Sequence, residues 1–124
     1  MAQAITLARP YARAAFEVAH ATGSLDSWSQ SLAFAAAVSA DARVVDLDND
    51  PRVKPEQIVA LHLPEGVASD APFAQFLAEL VENRRVTLLP EVAELFEGYK
   101  RESESQLLVK VTSALALARA FGNV

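Results

Sequence analysis

The segment ARPYARAAFEVAHATG, residues 8–23, decides the fold class because it is rich in alanine and repeats its apolar residues at helical spacing. Alanine has the highest helix propensity, and its small side chain lets neighbouring helices approach closely. Extended toward the N-terminus, the pattern predicts a first helix from Gln3 to Thr22, with Gly23 at its C-terminal cap. Pro10 lies inside this span, so either the regular helix begins near Pro10 or the preceding turn is kinked there.

Turn and capping residues divide the rest of the chain into five further predicted helices. Asp41 is placed to cap the third helix, and Pro55 and Pro72 stand where the fourth and fifth would begin. The predicted spans run from a cap at Ser24 or Asp26 to about Ser39, then Ala42 to Leu47, Glu56 to His62, Phe73 to Asn83, and Pro90 to about Ser105. We therefore expect an all-α fold, a six-helix bundle over residues 3–105.

The pattern changes after Gln106, where Leu107, Val109 and Val111 alternate with their neighbours, as in a β-strand. A short helical piece, residues 114–120, follows. A single strand is not stable without partners. We therefore expect residues 106–124 to be a strand/helix stub, the truncated start of a C-terminal α/β domain, packed poorly against the bundle of residues 1–105.

Composition excludes several classes of protein. The net charge of −5 argues against nucleic-acid and anionic-lipid binding, which need clustered Lys and Arg. The absence of cysteine excludes disulfides and thiolate sites and is typical of a cytoplasmic protein. The N-terminus has no signal sequence, and no apolar run approaches the roughly 18 residues that a membrane-spanning helix needs. Any membrane association should therefore go through a partner.

Candidate catalytic and metal-binding residues are sparse. Neither His20 nor His62 has a second ligand at metal spacing, so we interpret both as solvated or capping residues. Glu91, Glu94 and Glu97 share one helix face, which we interpret as a solvated face rather than an acid/base pair. No Gly-rich loop follows a strand. We predict no catalytic residue, cofactor or metal, and neither hydrolysis nor tight binding of ATP.

The first and fifth predicted helices have unusually wide apolar faces. On the first helix two apolar stripes lie side by side. Together they cover roughly 200° of the helix circumference, about twice the arc that packing against one core requires. The two stripes are Ile5, Ala8, Ala12, Ala15, Phe16 and Ala19, and then Leu7, Tyr11, Ala14 and Val18. On the fifth helix the face of Phe73, Phe76, Leu77 and Leu80 is widened by Ala74, Ala78 and Val81. Either both helices are central in the bundle, or both line a groove for a partner helix.

Residues 8–19 resemble the opening signature of ATP synthase delta subunits, the family that includes the mitochondrial oligomycin-sensitivity-conferring protein. Further blocks agree in order and spacing, so that the resemblance covers about residues 4–116. These blocks are Trp28 with residues 32–36, residues 76–85, and residues 88–92 with Phe96. Residues 109–114 resemble the strand that opens the second domain of the family.

The resemblance implies a non-catalytic connector of the F-type ATP synthase, at the cytoplasmic face of the bacterial inner membrane. It would link the catalytic head to the peripheral stalk, with the N-terminal helix of an alpha subunit in a groove between the first and fifth helices. The predicted partner contacts are Tyr11, Ala14, Val18, Ala74, Ala78 and Val81, leaving Ile5, Ala12, Phe16, Ala19 and the phenylalanine and leucine face of the fifth helix for the core. Binding of the stalk b subunit belongs to the C-terminal domain of the family, so the truncation puts it in doubt here.

Two other classes remain open on the residues alone. A free-standing helical adaptor could use the same groove for another amphipathic helix, and a small cytosolic enzyme is the third alternative. Co-purification with the catalytic head separates the first two, because only a synthase subunit should be recovered with it.

Overall fold

The computed structural model describes residues 2–122, with the side chains of residues 3–120, and every element in that range is helical. The elements are α1 (Ala2–Ala21), α2 (Leu25–Ser39), α3 (Ala42–Asp48), α4 (Pro55–His62), α5 (Pro72–Glu82), a 3-10 turn (Val86–Leu88) and α6 (Leu89–Gly122). The predicted all-α fold of six helices is confirmed. Met1, Asn123 and Val124, which belong to the two predicted domains, lie outside the described residues.

Local capping signals explain most of the helix ends. Gly23 has a φ of 65°, which ends α1 because a left-handed residue turns the chain out of the helix. Asp41 caps α3 by accepting a hydrogen bond from the backbone N–H of Arg43 at 2.9 Å. Pro55 and Pro72 are the first residues of α4 and α5, where a missing N–H costs nothing. Helix α1 begins at Ala2, so the alternative in which the regular helix begins near Pro10 is wrong.

The core lies where α1 and α2 pack along α6, and α4 joins α2 to α5. Alanines on α1 are buried at this junction, among them Ala8, Ala12, Ala15 and Ala19. Aromatic edges complete it, with Phe16 at 6.1 Å from Phe96 between ring centroids. The predicted core face of α5 is confirmed, since Phe73, Leu77 and Leu80 are buried and Phe76 packs against them.

Two predictions about exposure are wrong. Ile5, assigned to the core, is 40% exposed, because the first buried residue of α1 is Ala8 and the preceding turns extend past the core. The solvated face of α6 is also interrupted, since Glu97 is partly buried and its Oε2 accepts a hydrogen bond from Ser29 of α2 at 2.5 Å. This bond and the ion pair between Lys100 and Asp26 at 3.1 Å connect α2 to α6.

The predicted strand at residues 107–111 is also wrong, because α6 continues as one helix through this segment to Gly122. No proline follows Pro90, and residues 113–120 are rich in alanine and leucine, which favour helix. An isolated strand would leave its backbone groups unpaired, whereas a helix pairs them within the segment. The expectation of poor packing fits the structure, since every residue from 104 to 120 is exposed.

Candidate partner-binding groove

One side of α1 is apolar and combines Tyr11, which packs against the core, with residues that are exposed. Tyr11 is half-buried, whereas Ala14 is exposed and Val18 is 41% exposed. The alanines on the other side of the same helix are fully buried. The two stripes predicted from the sequence therefore separate only in part, since Ile5 of the first is exposed and Tyr11 of the second packs against the core, while Ala14 and Val18 are accessible.

The predicted contact residues on α5 divide in the same way, with one exception. Ala78 and Val81 are half-buried and present part of their surface. Ala74 is 2% exposed, so the structure places it in the interior rather than on an accessible wall. The predicted surface on α5 is therefore reduced to its second half.

Helix α1 meets the α5 side of the bundle mainly at the 3-10 turn that follows α5, while along its length it packs on α6. This arrangement brings the Tyr11 end of α1 to the C-terminal end of α5. We give the name α1/α5 groove to the surface on which the predicted partner contacts of these two helices lie. Its walls are the exposed stripe of α1 and the half-buried residues Ala78 and Val81.

Arg85 contacts Tyr11 at one end of the α1/α5 groove. Its Nη1 donates a hydrogen bond to the hydroxyl of Tyr11 at 3.4 Å, and its guanidinium carbon lies 5.8 Å from the centre of the Tyr11 ring. A cation over an aromatic face is attracted by the negative potential of the ring. The side chain thus joins the turn after α5 to α1 and places a positive charge beside the apolar stripe.

The turn after α5 explains how Arg85 reaches α1. Arg84 adopts a left-handed backbone with φ of 56°, and the N–H of Arg85 then bonds to the carbonyl of Leu80 at 2.8 Å. This is the Schellman arrangement that usually has glycine at the left-handed position. In the sequence, Arg85 is the last residue of the block 76–85 that resembles the family, and the resemblance gives it no role. The signal that could have found it is the pair of arginines directly after a predicted helix end.

The histidines differ from one another. His20 is exposed, as predicted, and stacks on Phe16 at 5.6 Å between ring centroids. His62 is completely buried, so its interpretation as a solvated residue is wrong, whereas the capping alternative fits its place in the last turn of α4 and its bond to a helix carbonyl. It is buried because the end of α4 turns inward, where Nδ1 of His62 pairs with the backbone carbonyl of Ile58 at 2.9 Å. Within residues 2–122, no cluster of three acidic or histidine side chains is arranged to hold a metal ion.

The described helices also bear on membrane association. None of them has the combination of length and apolar character that a membrane crossing requires. The longest, α6, carries charged residues throughout its first half and two more, Lys110 and Arg119, in its second half.

Comparison with known proteins identifies the family. The model of the ATP synthase delta (OSCP) subunit family matches residues 7–121, nearly the whole chain. The chain belongs to the ATP synthase delta (OSCP) subunit family. The delta subunit is a non-catalytic stator component of the F-type ATP synthase, which agrees with the absence of predicted catalytic residues.

Named relatives agree with the family assignment. The ATP synthase subunit delta of Xanthomonas oryzae pv. oryzae (strain MAFF 311018) is 44% identical over 119 residues, which is 96% of this chain and 67% of the relative. The ATP synthase subunit delta of Xanthomonas campestris pv. campestris (strain B100) is 43% identical over 120 residues, which is 97% of this chain and 67% of the relative. As a delta-subunit family member, the protein is a peripheral component of a membrane complex.

Proposed function

We propose that this chain connects the catalytic head of the F-type ATP synthase to the peripheral stalk, and that its bundle binds the N-terminal helix of an alpha subunit in the α1/α5 groove. The observation that supports this most is that Ala14 and Val18 of α1 are exposed, while Tyr11 on α1 and Ala78 and Val81 on α5 are only half-buried. A contiguous apolar surface on a small protein is typical of an interaction site.

The chemistry of the groove favours a helix as its occupant. Alanines on both walls keep the backbones accessible, so an amphipathic helix can approach closely and bury its apolar residues at i, i+3, i+4 and i+7. Tyr11 and Val18 bracket Ala14 by about one helical turn on either side. The walls are uncharged, and the guanidinium of Arg85 supplies a hydrogen-bond donor at one end.

Such a complex suits a stator because a connector must resist rotation without taking part in chemistry. The bundle contributes a rigid surface, since its core alanines and aromatic edges are buried between α1, α2 and α6. Residues 1–105 are the head-binding domain in this proposal, and residues 106–124 lead toward the part that contacts the stalk b subunit. The complex places the chain at the cytoplasmic face of the bacterial inner membrane.

Chemical-shift mapping tests the proposal. Isotopically labelled protein is titrated with a peptide copying the N-terminal segment of the alpha subunit from the same organism, with a scrambled peptide as control. We expect saturable shifts at Tyr11, Ala14, Val18, Ala78 and Val81, and unchanged signals on the exposed face of α2 at residues 33–34. Absence of saturable binding, or shifts confined to α2, would refute this assignment.

Recovery of the protein with the catalytic head distinguishes the synthase subunit from a free-standing adaptor. We expect the chain to co-purify with the head in native extracts. An adaptor would bind an unrelated amphipathic helix at the same groove and would be absent from the purified head.

A further inference from the structure

A buried acid–base pair joins the ends of α3 and α4. Asp48 is the last residue of α3 and His62 is the last residue of α4, with side chains 3% and 0% exposed. Asp48 Oδ2 lies 3.8 Å from His62 Nε2, too far for a hydrogen bond but close enough for strong interaction between charges. Within the described part of the chain, both carboxylate oxygens of Asp48 and Nε2 of His62 have no hydrogen-bond partner.

The contact with Ile58 limits the protonation states of this pair. A backbone carbonyl only accepts hydrogen bonds, so Nδ1 of His62 carries the hydrogen in its 2.9 Å contact with the Ile58 oxygen. Nε2, which faces Asp48, is therefore either a bare acceptor or a second protonated nitrogen. The pair is electrically neutral only when one further proton resides on Asp48 or on Nε2, and any other count leaves an uncompensated buried charge.

The other charged groups near the pair do not neutralise it in place of that proton. A hollow of about 320 Å³ beside the pair is lined by Asp48 and also by Asp50 and Arg84. Asp50 is paired with Arg52 at 3.1 Å, and Arg84 is not within ion-pair distance of Asp48. The remaining charges on the neighbouring elements are exposed, except Asp41 at the start of α3, which is partly buried and paired with Arg43. The exposed charges are Arg43 and Asp46 on α3, Lys54 and Glu56 at the start of α4, and Glu79 and Glu82 on α5, while the adjoining end of α2 has none.

We propose that the buried pair of Asp48 and His62 holds one proton beyond that on Nδ1, and that loss of this proton as the pH rises loosens the end of α3 from α4. The hollow beside Asp48 gives solvent a route for proton exchange. Val81 lines this hollow and also forms part of the α1/α5 groove. Loosening of α3 from α4 should therefore also affect the α5 wall of the groove. The inference about the pair itself does not depend on what the groove binds.

The direction of the pH effect follows from the environment of Asp48. Burial raises the pKa of Asp48, and the opposing attraction of His62 is the smaller influence. A carboxyl whose pKa is higher in the folded than in the unfolded chain stabilises the fold below the ordinary value of about 3.9. That contribution is lost as the pH rises through the folded-state pKa.

The test uses the full chain with Asp48→Asn and the control Asp46→Asn, an exposed aspartate on the same helix. We expect urea unfolding between pH 4.5 and 8 to show a folding equilibrium constant that rises for Asp48→Asn relative to wild type as the pH increases. The rise should be about tenfold for each unit by which the pKa of Asp48 is elevated. Asp46→Asn should follow the wild-type curve.

Carbon-13 NMR of the wild-type carboxyl groups keeps the proposal testable if Asp48→Asn folds poorly. The Asp48 signal should titrate clearly above the other aspartates, and amides at the ends of α3 and α4 should lose hydrogen-exchange protection over the same pH range. An Asp48 carboxyl that titrates at or below its ordinary value, or an Asp48→Asn curve parallel to that of Asp46→Asn, would overturn the proposal.

Discussion

Replacing Ala14 by aspartate separates a partner-contact role from a core role more directly than any other change in the chain. Ala14 is exposed on α1, so the new carboxylate remains solvated in the isolated protein. The folded state should lose only the difference in helix propensity between alanine and aspartate, about 0.7 kcal/mol. For a chain of this length that corresponds to a fall in melting temperature of only a few degrees.

Docking of a helix over Ala14 would remove that carboxylate from water without giving it a partner. The stripe of Tyr11, Ala14 and Val18 carries no charge of its own, and the one cation placed at it, Arg85, is already held by the ring and hydroxyl of Tyr11. We therefore expect the affinity for the alpha-subunit peptide to fall by an order of magnitude or more, that is by at least about 1.4 kcal/mol.

Two matched variants control the experiment. Ala15→Asp makes the same chemical change at a neighbouring position that is 1% exposed, where an unpaired buried charge costs several kcal/mol of the roughly 5–15 kcal/mol that stabilise a domain. It should therefore unfold the protein. Ala33→Asp makes the same change at an exposed site on α2, so it should lose the same roughly 0.7 kcal/mol of helix propensity and leave the affinity unaltered.

Calorimetric titration of the peptide and thermal unfolding by circular dichroism measure the two effects. A folded Ala14→Asp variant that binds the peptide with wild-type affinity would refute the placement of the groove. A large loss of melting temperature in that variant would show that Ala14 supports the core.

Three further outcomes are expected. Arg85→Ala should destabilise the protein by about 1 kcal/mol in urea unfolding, and more than Tyr11→Phe, because it removes the ring contact together with the hydrogen bond; the reverse order would contradict the role given to Arg85. The hydrogen bond and charge of Arg43 lower the pKa of Asp41 to about 2, so its stabilisation of α3 is present above about pH 3.9 and lost as the pH falls through 2; Asp41→Ala should reduce hydrogen-exchange protection in α3, and unchanged protection would exclude the cap. Amides of residues 106–120 should exchange much faster than those in the buried half of α6, because the segment packs against nothing described; equal protection would show that it is held by the bundle.

Local signals in the sequence were sufficient for the helix spans of the bundle. Gly23, Asp41, Pro55 and Pro72 act through backbone dihedrals and hydrogen bonds within a few residues, so their effects can be predicted without the rest of the chain. Helical periodicity likewise identified the buried alanines of α1. The family resemblance predicted a function as well, because it depends on the order of residues along the chain and not on the contacts they make.

Only the tertiary structure decided which apolar residues are free. Ala12 and Ala14 are equally apolar, yet one is buried and the other exposed, because the position of α6 selects one side of α1. The same holds for Ala74 and Ala78 on α5. Periodicity measures the width of an apolar face, whereas burial depends on where other helices lie.

Long-range contacts were equally beyond the sequence. Arg85 with Tyr11 and Asp48 with His62 meet because turns and helix packing bring distant segments together, and no spacing rule relates them. The end of α6 shows that a local pattern can also predict the wrong element, since the alternation of Val109 and Val111 favours a strand. A strand needs neighbours to pair its backbone, and without them the segment pairs its own backbone as a helix.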